Sequence, residues 1–239
     1  IKMNTYALIL LLLISINIHV KSQYDHIQYV LQWPATYCRI QTCKSATLFE
    51  FTIHGLWPSM SNGNTLYGKP PTNISHDAFI HHEDMKVYAV MQADPSLRDK
   101  LRTIWPNLKV GSSDEWLWMH EWREHGYSIE SVLDVTGYFN AAKMINELMI
   151  DNLLTYLKDE EINPSDHQSY EINKIRSAIT RLIGDYNNVH ISCYLNATNH
   201  LLIREIRLCV NRRFNHFISC QTTQNNVCQG HTEIFRPAS

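Results

Sequence analysis

FTIHGLWPS, running from Phe51 to Ser59, is the stretch on which the reading of this fold turns. Around its start Phe49, Phe51 and Ile53 alternate with Glu50, Thr52 and His54, a period of two that predicts a strand over Phe49 to His54 with one apolar and one polar face. The pattern sets His54 at the strand's end on the polar face, and Gly55 reads as allowing a tight turn before Trp57 and Pro58.

Upstream, IQYVLQW (Ile27 to Trp33) is β-branched and aromatic and stops at Pro34, which predicts a strand running into a loop between Cys38 and Cys43. Trp33, Tyr37 and Trp105 read as core. Downstream, Ser59 to Thr72 is rich in Ser, Asn, Gly and Pro and predicts an exposed loop. Asp114 to Gly126 reads as a helix, with Ser113 or Asp114 as cap, Trp118, Met119 and Trp122 on its apolar face and Gly126 as its stop. Further helices are predicted over Tyr138 to Lys158 and over Tyr170 to Ile183, the latter from Ile172, Ile175 and Ile179 at helical spacing. Val189 to Leu195 and Leu201 to Val210 read as strands around a turn at Asn196 to Asn199. Strands and helices come in blocks, so the expected architecture is α+β: a single domain with an antiparallel sheet packed against several helices, rather than a parallel α/β sheet.

The chain has 239 residues, 44% of them hydrophobic and 18% charged, enough for one well-cored domain. Ile1 to Ser22 places Lys2 before an apolar run from Tyr6 to Ile14 and ends in Val20-Lys21-Ser22, the pattern of a signal peptide, which leaves residues 23–239 as the mature domain. A membrane anchor is the competing reading, but Asn17, His19 and Lys21 interrupt the run before the length a span needs. Without Lys2 and Lys21 the chain keeps 19 positive groups against 23 acids, a formal −4. That excludes a general polyanion binder working through bulk charge, so any contact with a polyanion is local.

Six cysteines, Cys38, Cys43, Cys193, Cys209, Cys220 and Cys228, behind a secretion signal read as three disulfides of an extracellular protein. Their spacing favours Cys38 with Cys43 and leaves the other pairings open. Asn73-Ile74-Ser75 and Asn196-Ala197-Thr198 are acceptor sequons for N-glycans on Asn73 and Asn196.

WMHEWREHG (residues 118–126) gathers His120, Glu121, Glu124 and His125. On a helix Glu121 and His125 are i,i+4 neighbours, and a carboxylate against the imidazole would orient His125 and raise its pKa, as suits a general base. A zinc helix of the H-E-x-x-H kind needs its histidines four apart. His120 and His125 are five apart, about 140° around the helix, and cannot share one tetrahedral ion undistorted, so no metal is expected. Two histidines at a helix end are equally well explained as a solvated terminus; His54, delivered by its strand, supplies the second imidazole that makes a catalytic pair. One neutral and one protonated imidazole are what transesterification of RNA requires, one taking the 2′-hydroxyl proton and the other protonating the departing 5′-oxygen.

FTIHGLWPS and WMHEWREHG together resemble the two active-site segments of the ribonuclease T2 family, and the resemblance runs from LQWPATYC (residues 31–38) through WPNL (105–108) to REIRLCV and the last cysteines, closest to plant S-type and S-like members. It implies a secreted endoribonuclease acting on single-stranded RNA through a 2′,3′-cyclic phosphate, without cofactor or metal. His54 would be the general acid and His125 the general base, with His120 and Glu121 holding the phosphate and polarising the transition state. Trp57 would stack on a base, an interaction worth about 1–3 kcal/mol, and Gln32 would lie near the other base; plain core packing is the competing reading for Trp57. The implied disulfides are Cys38 with Cys43, Cys193 with Cys228 and Cys209 with Cys220.

The chain departs from the family pattern H-E-W-x-K-H-G-T-C at the two positions that bear on function and stability, with Glu124 where the lysine stands and Ser128 where the cysteine stands. A carboxylate at the lysine's place repels the charge on the phosphorane, at on the order of 1–3 kcal/mol or roughly 10–100-fold in rate. Arg123 lies about 100° around the helix and compensates only partly. Ile74 stands where the partner of the missing cysteine would be, so a whole disulfide is absent, one typically worth about 2–4 kcal/mol. The alternative function is therefore a catalytically impaired secreted glycoprotein that binds RNA or a protein, including an S-type self-incompatibility role with the Ser59 to Thr72 loop presenting specificity; the acidic mature charge leans towards S-like. DNA is excluded as substrate because it lacks the 2′-hydroxyl. A monomer is expected, with no membrane partner and any protein partner left open.

Overall fold

The computed structural model describes residues 24–44, 50–184, 189–220, 228 and 233–235. Residues 1–22, read above as a signal peptide, and Phe49 lie outside the described residues. The architecture is α+β, as the block pattern implied. A sheet is built around β1 (His26–Gln32), which pairs antiparallel with β2 (Thr52–Ser59) on one side and with β5 (Leu201–Asn211) on the other. β5 also carries β4 (His190–Leu195) and the short β6 (Phe217–Ile218) antiparallel, and meets β7 (Glu233–Phe235), which joins β3 (Ser169–Glu171). Cys38–Cys43, Cys193–Cys228 and Cys209–Cys220 are disulfides, the pairing that the resemblance implies.

Several boundaries differ from those read off the sequence. β2 begins at Thr52 and continues through Gly55 to Ser59, so no turn follows His54. Pro34 does end β1, but it opens a helix rather than a loop: α1 (Pro34–Ile40) has Pro34 in its first turn, where the missing N–H has no partner to lose. Tyr37, on that helix, is half-buried rather than core, whereas Trp33 and Trp105 are fully enclosed. Tyr170 belongs to β3, and the helix behind it starts at Ile172.

Two helices have no counterpart in the sequence reading. α2 (His76–Ala93) is capped by Ser75 Oγ, which accepts from Ala78 N, and α3 (Pro95–Ile104) by Asp94, which accepts from Leu97 N. The buried stripe of α2 is Phe79, Glu83, Val87 and Met91, so a carboxylate interrupts the apolar period that would have revealed it. Glu83 is tolerated there because Trp122 Nε1 donates to Oε2 at 2.8 Å and Lys86 Nζ to Oε1 at 2.9 Å.

Trp122 belongs to α4 (Asp114–Glu124), which Ser113 caps. A 3-10 turn (Gly126–Ile129) leads on to α5 (Val135–Asp159), and α6 (Ile172–Ile183) follows β3. The core lies between these helices and one face of the sheet, with Leu31, Ile53 and Leu56 meeting Trp118, Trp122 and Phe139. Tyr138 Oη donates to Leu56 O at 2.9 Å and ties α5 to the strand that carries His54. No helix among the described residues is long and apolar enough to cross a membrane.

Removing the Glu83 carboxylate leaves the buried Trp122 N–H and the Lys86 ammonium without that acceptor. Glu83→Ala is expected to lower stability by about 1–3 kcal/mol, read as a lower urea midpoint at unchanged slope.

Candidate active site

β1 pairs Val30 with Gly55 and Leu31 with Ile53, so His54 is the extra residue of a β-bulge. Ile53 and Leu56 are three apart and would face opposite sides of a regular strand, yet both are fully buried in the core. The bulge reconciles them and turns His54, Gly55 and Trp57 together towards the other face. Indole donors fix its backbone: Trp105 Nε1 donates to His54 O at 2.9 Å, and Trp118 Nε1 donates to Trp105 O at 2.9 Å.

On that face the side chains close a ring. His54 Nδ1 donates to Glu205 Oε1 at 2.8 Å, and Arg207 Nη2 donates to Glu205 Oε2 at 3.0 Å. The Arg207 guanidinium lies over the Trp57 ring, 4.7 Å from its centroid. Trp57 Nε1 donates to Glu121 Oε2 at 2.9 Å, and Glu121 Oε1 stands 3.9 Å from His54 Nε2. Gly55 makes this approach feasible, because a Cβ there would lie 2.1 Å from Trp57 Nε1 and 2.2 Å from Glu121 Oε2.

His125 is not on the helix that was expected to carry it. α4 ends at Glu124, and His125 caps it with φ −125° and ψ −56°. The following Gly126 is there for space, since a Cβ would meet the Trp122 ring at 2.3 Å. The Glu121 carboxylate therefore serves Trp57 and His54 rather than His125. The expected rise in the His125 pKa is reversed: burial first, then the positive charges of His54, His120 and Arg207, push it down to about 3. His125 Nδ1 lies 3.3 Å from Leu66 O, which can only accept, so in the neutral ring Nδ1 carries the hydrogen and Nε2 is bare.

His54 is set the other way. Burial opposes its charge, but the Glu205 hydrogen bond and the charges of Glu121 and Glu205 outweigh that and raise its pKa. Glu205 is driven down to about 2 despite its burial, mainly by His54 and also by Arg207 and Arg204. Glu121, 2% exposed, is pushed up to about 7 by burial, so below neutral pH it carries a proton that it can donate. The Trp57 ring lies 5.2 Å from the His54 ring and 5.0 Å from the His125 ring, centroid to centroid, and so bridges one imidazole set protonated and one set neutral.

The Ser59 to Thr72 loop is exposed for much of its length, but residues 66–68 are docked. Leu66 N donates to Pro58 O at 2.7 Å and Gly68 N to Glu124 O at 2.7 Å, and a Cβ on Gly68 would lie 2.0 Å from Arg123 O. Ser128 Oγ donates to His125 O at 2.6 Å. A cavity of about 460 Å³ is lined by Leu66, Tyr67, Lys69, Tyr127 and Ser128 among others; His125 is not in its wall, and the exposed Tyr67 ring, which is, lies 5.2 Å from the His125 ring.

The other residues expected in the site are placed less uniformly. His120 is half-buried and stacks on Trp116 at 5.4 Å, its pKa lowered by burial, with the Glu124 charge acting the other way. Glu124 also raises Glu121, so its negative charge is felt inside the site. Arg123 is paired with Asp84 of α2 and turned from the ring. Trp57 is 9% exposed, and the ring face under Arg207 is covered, which leaves that face no room for a base. Gln32 is buried beside Glu205, its partner across the β1–β5 ladder. Asn73 is exposed; Asn196 is half-buried, its Oδ1 accepting from His200 N at 2.7 Å. Among the described residues no cluster of three or more His, Cys, Asp or Glu side chains is arranged to hold a metal.

A bulged strand and a helix end bring together two imidazoles whose surroundings shift their pKa values in opposite directions, on one face of an α+β sheet. The family model for "Ribonuclease T2 family" matches residues 24–220, and the chain belongs to that family. It is similar to Ribonuclease 3 of Arabidopsis thaliana, 30% identical over 217 residues covering 88% of this chain and 89% of that protein. Extracellular ribonuclease LE of Solanum lycopersicum is 28% identical over 94% of each chain. Among solved structures, RNase NT in complex with 5′-AMP superposes with a TM-score of 0.68 at 28% identity, covering 90% of this chain and 98% of that one.

Glu205 and Arg207 were missed in the sequence, although REIRLCV carried a signal: two charged residues alternate with Ile206 and Leu208 in an otherwise apolar strand. Glu205→Gln removes a negative charge that holds the His54 proton. The His54 titration midpoint, followed by NMR of its ring, is expected to fall towards or below the ordinary histidine value; an unchanged midpoint refutes the dyad.

Proposed function

We propose that this chain is a secreted endoribonuclease that cleaves single-stranded RNA by acid–base transesterification without a metal. The observation that carries the reading is the opposed setting of the two imidazoles around Trp57, His125 neutral and His54 protonated. Bare His125 Nε2 takes the 2′-hydroxyl proton, the 2′-oxygen attacks phosphorus, and His54 Nε2–H protonates the departing 5′-oxygen. Water then attacks the 2′,3′-cyclic phosphate with the two roles exchanged: His54 takes the water's proton, the bond from phosphorus to the 2′-oxygen breaks, and His125 returns a proton to that oxygen, leaving a 3′-phosphate. His120 and the protonated Glu121 stand beside the phosphorane as donors to its oxygens. The cavity lined by Tyr67, Lys69 and Tyr127 supports passage of a flanking nucleotide, and the likeness to a relative solved with 5′-AMP supports a nucleotide site. The signal-like residues 1–22 and a tomato relative named as extracellular support secretion.

A second reading, a weakly catalytic glycoprotein that acts by binding, is favoured by one observation: Glu124 places negative charge against Glu121 and His120. The two are separated by cleavage of a uridine-containing RNA at mildly acidic pH with a chelator present and DNA as control. The enzyme reading expects RNA cleavage that disappears in His125→Ala and that rises about 10–100-fold in Glu124→Lys. Activity found only in Glu124→Lys makes the natural chain a disabled relative.

The pH profile follows from the same settings. His125 keeps its bare nitrogen until about pH 3, so activity is expected to persist through pH 4 and 5 and to fail on the alkaline side as His54 loses its proton. An acid limb near pH 6.5 contradicts the assignment of His125 as base.

A further inference from the structure

We infer that Arg207 on β5 supplies the fixed positive charge that the scissile phosphate meets, in the place of the helix lysine that this chain lacks. The inference rests on the ribonuclease reading and names a residue that the reading does not use. Transesterification adds negative charge to the phosphate as the phosphorane forms, and without a cation fixed beside it that charge meets carboxylates. Two carboxylates bear on the place, the buried Glu205 and Glu124 at the end of α4, and Glu121 joins them once it loses its proton. The cations near Glu124 on the helix side are committed elsewhere. Arg123 is held by Asp84, and Lys86 donates to Glu83 at 2.9 Å and to Glu130 at 2.5 Å.

Arg207 stands on the sheet side of the same site. Its guanidinium rests 4.7 Å from the centroid of Trp57, the ring that both catalytic imidazoles touch. Glu205 holds it from behind at 3.0 Å, and the other oxygen of that carboxylate holds His54 at 2.8 Å. The cation is thus fixed to the strand pair that positions the acid, and its side chain is only 13% exposed, so its field is weakly screened by water. A guanidinium is charged at every working pH, and its planar fork matches two phosphate oxygens. The positive charge has changed elements, from the helix to the strand facing it. A lysine at 124 and Arg207 would approach one phosphate from opposite walls and are interchangeable in charge though not in position.

The test is a two-by-two set of variants, Arg207→Met with and without Glu124→Lys, assayed on a uridine-containing RNA, with thermal unfolding to confirm that each chain is folded. Arg207→Met is expected to lower kcat about 10–100-fold with little change in KM, and Arg207→Lys to retain more activity than Arg207→Met. Glu124→Lys is expected to raise the rate by a clearly larger factor in the Arg207→Met background than in wild type, because only there does the phosphate lack a fixed cation. A residue that only props Trp57 and Glu205 gives the same factor in both backgrounds, so additive effects of the two substitutions overturn the inference. So does an Arg207→Met enzyme within about twofold of wild type. If the wild type and all variants are silent on RNA, the ribonuclease reading itself has failed and takes this assignment with it.

Discussion

The arrangement of this site depends on one irregularity, the extra residue that His54 adds to β2 opposite Val30 and Leu31. A strand has a side-chain period of two, and no regular strand can send Ile53 and Leu56 to one face and His54 and Trp57 to the other. The bulge pins the register by leaving the core residues no alternative: a slip by one would expose Ile53 and bury His54 against Trp118 and Trp122. The same irregularity leaves backbone groups in need of partners, and the buried indole of Trp105 is one of them. Core packing and catalytic geometry are therefore one constraint here, not two.

That constraint then sets the electrostatics. The two imidazoles have the same intrinsic chemistry, and only their surroundings separate them. His54 is half-buried between two carboxylates, which outweigh its desolvation; His125 is buried among positive groups, which add to its desolvation, and a carbonyl that offsets them only in part. Burial raises the Glu121 pKa to about 7, so it holds its proton only below neutral pH, while Glu205, bonded to His54 and Arg207, is driven down to about 2 and stays ionised. Two like groups are thus set apart by environment alone, which is the separation that acid–base catalysis at one pH requires.

How far the sequence disclosed this follows from which signals are local. The α+β class, the two long helices after Gly126 and the strands near the C-terminus rest on apolar periods, and those were legible. α2 was hidden because its buried stripe contains Glu83, and a period broken by a carboxylate reads as solvent-facing until Trp122 and Lys86 are seen beside it. The identities of His54, Glu121 and His125 were legible from two motifs, but their mutual relation was not. Ideal helix geometry paired Glu121 with His125, whereas the helix ends one residue earlier and Glu121 turns to Trp57. Glu205 and Arg207 lie some 150 residues from His54 in sequence and reach it only through the β1–β5 ladder, which no local pattern encodes.

The family resemblance implies a disulfide at the turn after α4 that this chain does not have, and other bonds hold His125 there. Ser128 stands at the cysteine's place, and its hydroxyl donates to His125 O at 2.6 Å, closing the turn that the helix end opens. Opposite it, Leu66 O and Gly68 N reach His125 Nδ1 and Glu124 O, so the docked loop grips both sides of the α4 terminus. Each such bond contributes about 0.5–1.5 kcal/mol, so that three together are comparable with the about 2–4 kcal/mol of a typical cross-link. The comparison extends only to the folded geometry, because hydrogen bonds do not restrict the unfolded chain as a disulfide does.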